Sequence, residues 1–140
     1  MVNDGYIEFT DSGNVLRPDL TEETFLKSSL AASSVDLVHN GEYRSYSAGR
    51  HSIAGTVFAV SIFFESGVLK SIHLSPVDEA VSKWEDVTDA VLKRHAHEND
   101  EWIRRECGTT SPASFSWGTV ESTCDKRSLA ASIIVVLQET

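Results

Sequence analysis

The chain has 140 residues, 41% of them hydrophobic and 24% charged, so it can bury one core without staples and shows no compositional sign of disorder or fibrous structure. A formal net charge of -9 argues against nucleic acid as the partner, because that affinity rests on Lys and Arg neutralising phosphates. No stretch approaches the roughly 18 apolar residues of a membrane span, Met1 to Phe9 carries acids with no basic n-region or apolar h-region, and Cys107 and Cys124 lack CxxC spacing. The expectation is one cytoplasmic α+β domain over 1–140, with reduced thiols, no membrane association and no cofactor.

Taken in chain order, Tyr6–Phe9 and Val15–Leu16 flank the turn-forming run Asp11-Ser12-Gly13-Asn14 and predict a small hairpin. A short helix follows. Its start is written as Asp19-Leu20-Thr21-Glu22-Glu23-Thr24-Phe25: Thr21 as N-cap puts Glu22 and Glu23 at the positive helix end and lets Leu20 staple onto Phe25. Asp19 as the cap, completed by Glu22, is the alternative, and the helix ends near Ser28-Ser29 either way.

Strand patterning takes over at Val35–Val38, with Asn40-Gly41 as a turn before Tyr43–Ser47 and a long run from Ile53 to Phe64. In that run Phe58, Val60, Ile62 and Phe64 share one face and Val57, Ala59, Ser61 and Phe63 the other, so a central strand is expected. Glu65-Ser66-Gly67 turns it into Val68–Leu74, which Pro76 stops.

Residues 78 to 107 read as one amphipathic helix closed by Gly108. At about 100° per residue Val81, Trp84, Val87, Val91, Leu92, His95 and Trp102 gather on one side, and Asp86, Asp89, Lys93, His97, Asp100 and Arg104 on the other. Phe115–Thr123 and Leu129–Leu137 complete the order as strands, the last apolar on both faces and therefore internal. The predicted architecture is an antiparallel sheet of about six to seven strands packed on one long helix, with a short helix near the N-terminus.

Several residues carry chemistry worth weighing. His95-Ala96-His97 has the look of a metal pair, but residues two apart on a helix project about 200° from each other, so the two rings do not share an ion there. His97 is expected to pair with Glu101, and His95 to lie on the packed side near Glu98, where a cleft between helix and sheet would hold the two as a ligand pocket. Asp86, Asp89, Asp100 and Glu101 either serve acid-before-base helix pairs (Asp89 to Lys93, Asp100 to Arg104, Glu101 to Arg105) or present carboxylates to a basic partner. Cys107 sits at the wrong helix end for thiolate stabilisation. No GxSxG elbow, P-loop or GxGxxG occurs. Trp84 and Trp102 read as anchors of helix to sheet, and Gly118 after Trp117 as a point of close approach.

The order Leu16-Arg17-Pro18-Asp19-Leu20-Thr21-Glu22-Glu23-Thr24-Phe25-Leu26, a Phe-rich strand ending Phe64-Glu65-Ser66-Gly67-Val68-Leu69-Lys70-Ser71-Ile72, then Trp117-Gly118 and a closing apolar strand, resembles small acidic bacterial immunity proteins of contact-dependent and other polymorphic toxin systems. The resemblance implies a non-enzymatic protein that binds and blocks a cognate toxin, and the acidic charge of the chain adds the expectation that this partner is basic, such as a nuclease. It assigns no residue to that contact. The alternative is a small-ligand-binding or enzymatic domain using the cleft at His95 and Glu98.

Overall fold

The computed structural model describes residues 5–32, 34–78, 87–125 and 130–137. The first strands, β1 (Ile7–Glu8) and β2 (Val15–Leu16), form an antiparallel ribbon, followed by α1 (Glu22–Leu26) and α2 (Ser29–Ala32). Thr21 is the N-cap of α1, its hydroxyl accepting from the Thr24 amide at 3.2 Å. Four strands then run as a meander: β3 (Val35–Asn40), β4 (Tyr43–Ile53), β5 (Thr56–Glu65) and β6 (Val68–Pro76). Helix α3 (Asp89–Cys107) crosses to the far edge, where β7 (Ala113–Phe115), β8 (Gly118–Asp125) and β9 (Ala130–Leu137) return toward the middle.

The seven-stranded sheet has the order β3-β4-β5-β6-β9-β8-β7, every pairing antiparallel. It is therefore the α+β, sheet-on-helix architecture that the periodicities predicted, and the two-stranded ribbon is the small hairpin expected near the N-terminus. The closing strand β9 is internal, between β6 and β8, as its doubly apolar pattern requires.

All the helical and ribbon layers lie on one face of this sheet. Phe58, Val60, Ile62 and Phe64 of β5 point into that face, as do Ile72 and Leu74 of β6 and Ile133 and Val135 of β9, and all are buried. Over β4 and β5 the N-terminal layer closes the core: Phe25 of α1 packs against Tyr46 and Phe64, with ring centroids 5.1 and 5.5 Å away, and Phe9 stacks on His51 at 4.5 Å. Helix α3 closes the rest, with Trp102 edge-on to Phe58 at 5.4 Å and its indole N–H donating to the Ile53 carbonyl at 3.3 Å. Burying a side chain of this size contributes about 1.5–3 kcal/mol.

The structure departs from the sequence reading in three places. The run from Ile53 to Phe64 is broken by a two-residue turn at Ala54 and Gly55, whose φ values of 50° and 84° are both positive, so β4 reaches Ile53 and β5 begins at Thr56. The outward row of β5 is also less enclosed than its composition suggests, Val57 and Ala59 being exposed and Ser61 and Phe63 half-buried. The strand expected from Phe115 to Thr123 is the β7–β8 hairpin, turning at Ser116 and Trp117.

The third departure concerns the long helix. It is not continuous from 78 to 107: Asp78, Val87 and Thr88 lie outside helix, and α3 starts at Asp89 because the Thr88 hydroxyl accepts from the Val91 amide at 3.3 Å. Val81, Trp84 and Asp86 lie outside the described residues. At the other end Gly108 caps the helix in the left-handed conformation, φ 74°, as expected.

Candidate functional site

Helix α3 carries the residues that the sequence singles out, and its packing divides them. Leu92, Asn99, Trp102, Ile103 and Cys107 face the sheet, while Asp89, Lys93, Arg94, His97, Glu98, Asp100, Glu101, Arg104 and Arg105 are exposed. The helix has five acids against four bases, so its outer face is a mixed ladder and not a sheet of carboxylates. Glu101 is engaged by Arg104 at 3.7 Å and Glu98 by Arg94 at 3.8 Å. These replace the Asp100–Arg104, Glu101–Arg105 and His97–Glu101 pairings expected from spacing. Asp89 and Asp100 have no ion-pair partner within 4.0 Å among the described residues.

His95 is only 12% exposed, on the packed side as expected, but its partner is not Glu98. The Nε2 atom lies 2.9 Å from an Asp78 carboxylate oxygen, and the Arg94 guanidinium donates to that same oxygen. Asp78 stands just beyond the end of β6, so this bond ties α3 to the sheet. Glu98 is 57% exposed and turned toward a different hollow. The expected His95–Glu98 pocket is thus two separate places: at about 100° per residue, three residues turn the side chains some 60° apart.

One hollow, of about 190 Å³, lies over the β6–β9 seam, with Asp78, His95, Ser75 and Ser132 among its walls. Ser75 and Ser132 hydroxyls meet there at 3.1 Å. The other, of about 290 Å³, opens between α3 and β5, floored by Phe58, Trp102 and Pro76, with Glu98, Glu101 and Arg105 around it. Asn99 lines this second hollow. It is 2% exposed, and its amide nitrogen has no hydrogen-bond partner among the described residues. A buried donor left unbonded costs about 1–3 kcal/mol, so the hollow contains an unmet demand for an acceptor. Sequence reasoning missed Asn99, although an amide on the apolar stripe between Leu92 and Trp102 is the signal that marks it.

Cys107, buried at the end of α3, has its thiol pushed above the ordinary range, first by burial and secondarily by Glu106. It is protonated at neutral pH and unsuited to nucleophilic attack. Cys124 is exposed on β8. Among the described residues no three His, Cys, Asp or Glu side chains converge on a metal-sized site, and no helix is long and apolar enough to cross a membrane.

No protein-family profile matches the chain, and no curated protein does. Among solved structures, a chain of the one described as "Rhs1-CT in complex with cognate immunity protein RhsI1" shares the fold, with a TM-score of 0.55 and 18% identity over 96% of this chain and 83% of that one.

Proposed function

We propose that this chain is a non-enzymatic immunity-type inhibitor that binds and blocks a cognate protein toxin in the cytoplasm, the toxin being a nuclease with a basic substrate site. The observation that carries the reading is the fold likeness over 96% of the chain to a component of a toxin–immunity complex. Of the two partners in that complex, the immunity protein is the one that suits a chain with net charge -9 and no catalytic motif. An acidic surface speeds encounter with a basic one and fixes its orientation, while a few desolvated anchors hold the complex. Asp89 and Asp100, the acids of α3 with no ion-pair partner among the described residues, are the proposed steering charges, with Glu101 beside them and Asp86 outside the described residues.

The test is protection of cells. A toxin domain encoded immediately upstream of this chain is expected; expressed alone it arrests growth, and co-expression of this chain restores it. Arrest that persists with the chain present in excess removes the proposal.

A second reading is favoured by one specific observation, the unbonded Asn99 amide in the hollow under α3. It makes that hollow a site for a small ligand offering an oxygen acceptor. Following the Asn99 side-chain amide resonances by NMR during titration with candidate carboxylates decides it: an unmoved signal leaves the hollow structural.

A further inference from the structure

The opposite face of the sheet carries a site of its own. Ser45 of β4, Phe63 of β5 and Ser71 of β6 are register partners in one row, and Tyr43 pairs with Glu65 in the next, so all five side chains emerge on the face away from α1 and α3. Among the described residues no helix or strand packs over this row. A hollow of about 230 Å³ lies there, walled by Tyr43, Phe63 and Ser71, with Lys70 and Glu65 at its rim.

Three features distinguish it from an ordinary sheet surface. Ser45, which also lines it, is 2% exposed, yet its hydroxyl has no hydrogen-bond partner among the described residues. Buried hydroxyls are nearly always bonded, so the hollow holds a donor and acceptor in waiting at its base. Phe63 is braced from behind by the His73 ring, centroids 4.3 Å apart, and so presents a fixed aromatic surface. The β5–β6 register shifts between Phe63 and Phe64, making Lys70 a bulge residue, and bulges re-aim side chains beside sites. The charges at the rim already have partners: Lys70 lies 3.8 Å from Glu65, and Arg44, which also lines the hollow, lies 3.8 Å from Glu22.

We propose that this hollow binds a phenol, one aromatic ring laid against Phe63 with its hydroxyl bonded to Ser45 Oγ. The volume is below the roughly 300–1,000 Å³ of sites for drug-sized molecules, so it has room for a single ring. The aromatic wall selects a ring over an aliphatic alcohol through offset or edge-on contact. The internally paired rim offers a charged ligand no counter-ion, and the single buried hydroxyl selects a ring that carries one hydrogen-bonding group. Two sources share this chemistry, a tyrosine side chain on a protein partner and a free small phenol. The site lies on the face opposite α3 and stands independently of the toxin reading.

The experiment is an NMR titration of the whole chain with p-cresol, toluene and N-acetyl-tyrosinamide. p-Cresol shifts the amides of Ser45, Phe63 and Ser71 and binds about fivefold more tightly than toluene, the increment of one net hydrogen bond. In Ser45→Ala, which loses only an unbonded hydroxyl and keeps its fold, that preference disappears. Binding of N-acetyl-tyrosinamide as tight as that of p-cresol assigns the site to a partner's tyrosine; its exclusion assigns the site to a free phenol. No shift at these residues, equal affinity for p-cresol and toluene, or an undiminished preference in Ser45→Ala overturns the proposal.

Discussion

The phenol of Tyr46 donates to a Glu22 carboxylate oxygen across 2.5 Å, joining the middle of β4 to the first turn of α1. Arg44, two residues along β4, approaches the same oxygen at 3.8 Å. The N-terminal layer is therefore latched to the sheet by a polar contact as well as by the Phe25 ring packing. Tyr46 is itself 2% exposed, and burial together with the Glu22 bond pushes its pKa up to about 12.

That latch gives a signed pH dependence. The folded state holds Tyr46 neutral above the unfolded value of 10.0, so the stabilisation is complete below pH 10 and is lost as pH rises toward 12. Tyr46→Phe is expected to cost about 1–2 kcal/mol at neutral pH, by leaving Glu22 one donor short, and to show a shallower alkaline decline than the unsubstituted chain. Urea denaturation from pH 8 to 11.5 measures both; identical alkaline slopes would detach the shift from this contact.

On the outer face, His73 behaves in the opposite sense. Burial lowers its pKa below the usual 6.5, so the unfolded chain takes up the proton first, and stability present above pH 6.5 falls as the pH is lowered toward the folded value. His73→Phe keeps a ring against Phe63 and should reduce the stability lost between pH 7 and 5. An unchanged acid slope means that other groups carry it.

Gly118 is a point of close approach, as its place after Trp117 suggests, but what approaches is backbone. A β-carbon built there would lie 2.0 Å from the Val136 carbonyl oxygen, and its φ of 154° is one that side chains rarely adopt. Gly118→Ala must therefore separate β8 from β9 at the end of the sheet. The expected loss is about 3 kcal/mol or more, read from thermal or denaturant unfolding.

Ser66 illustrates the reverse. It sits at φ 52° before Gly67 in the exposed β5–β6 turn, a conformation that Asn tolerates better. Ser66→Asn is expected to raise stability by about 0.5–1 kcal/mol without altering any contact. A loss would show that the Ser66 side chain has a role in the turn.

Neutralising the α3 acids tests their proposed steering role. Asp89→Asn with Asp100→Asn is expected to slow association with the proposed toxin partner severalfold and flatten its salt dependence, while dissociation changes little. Stopped-flow rates at two ionic strengths report this, and an unchanged association rate moves the contact to another surface.

How much of this was legible in the sequence follows from the range of the interactions involved. Thr21, Gly108, the Ser66-Gly67 turn and the alternation of β5 are local signals, and each was readable. The Ala54-Gly55 turn was not, because Ala gives no hint of a positive φ, and the chain reads through it as one strand. The break at Thr88 competed with an apolar periodicity that continues on both sides of it. Asp78 bonds a histidine 17 positions later, and Ser45 lies beneath Phe63 only because β4 and β5 pair in that register. Side chains assembled by pairing at a distance leave no mark on neighbouring residues, so the α3 acids were visible as a face while their true partners were not.

The most direct measurement of the central claim is a calorimetric titration of the purified chain with the cognate toxin that the proposed function requires. The account predicts saturable one-to-one binding with a dissociation constant tighter than about 10⁻⁸ M and loss of toxin activity at the equivalence point. Absence of binding at concentrations on the order of 10⁻⁵ M, with both proteins folded, would contradict it.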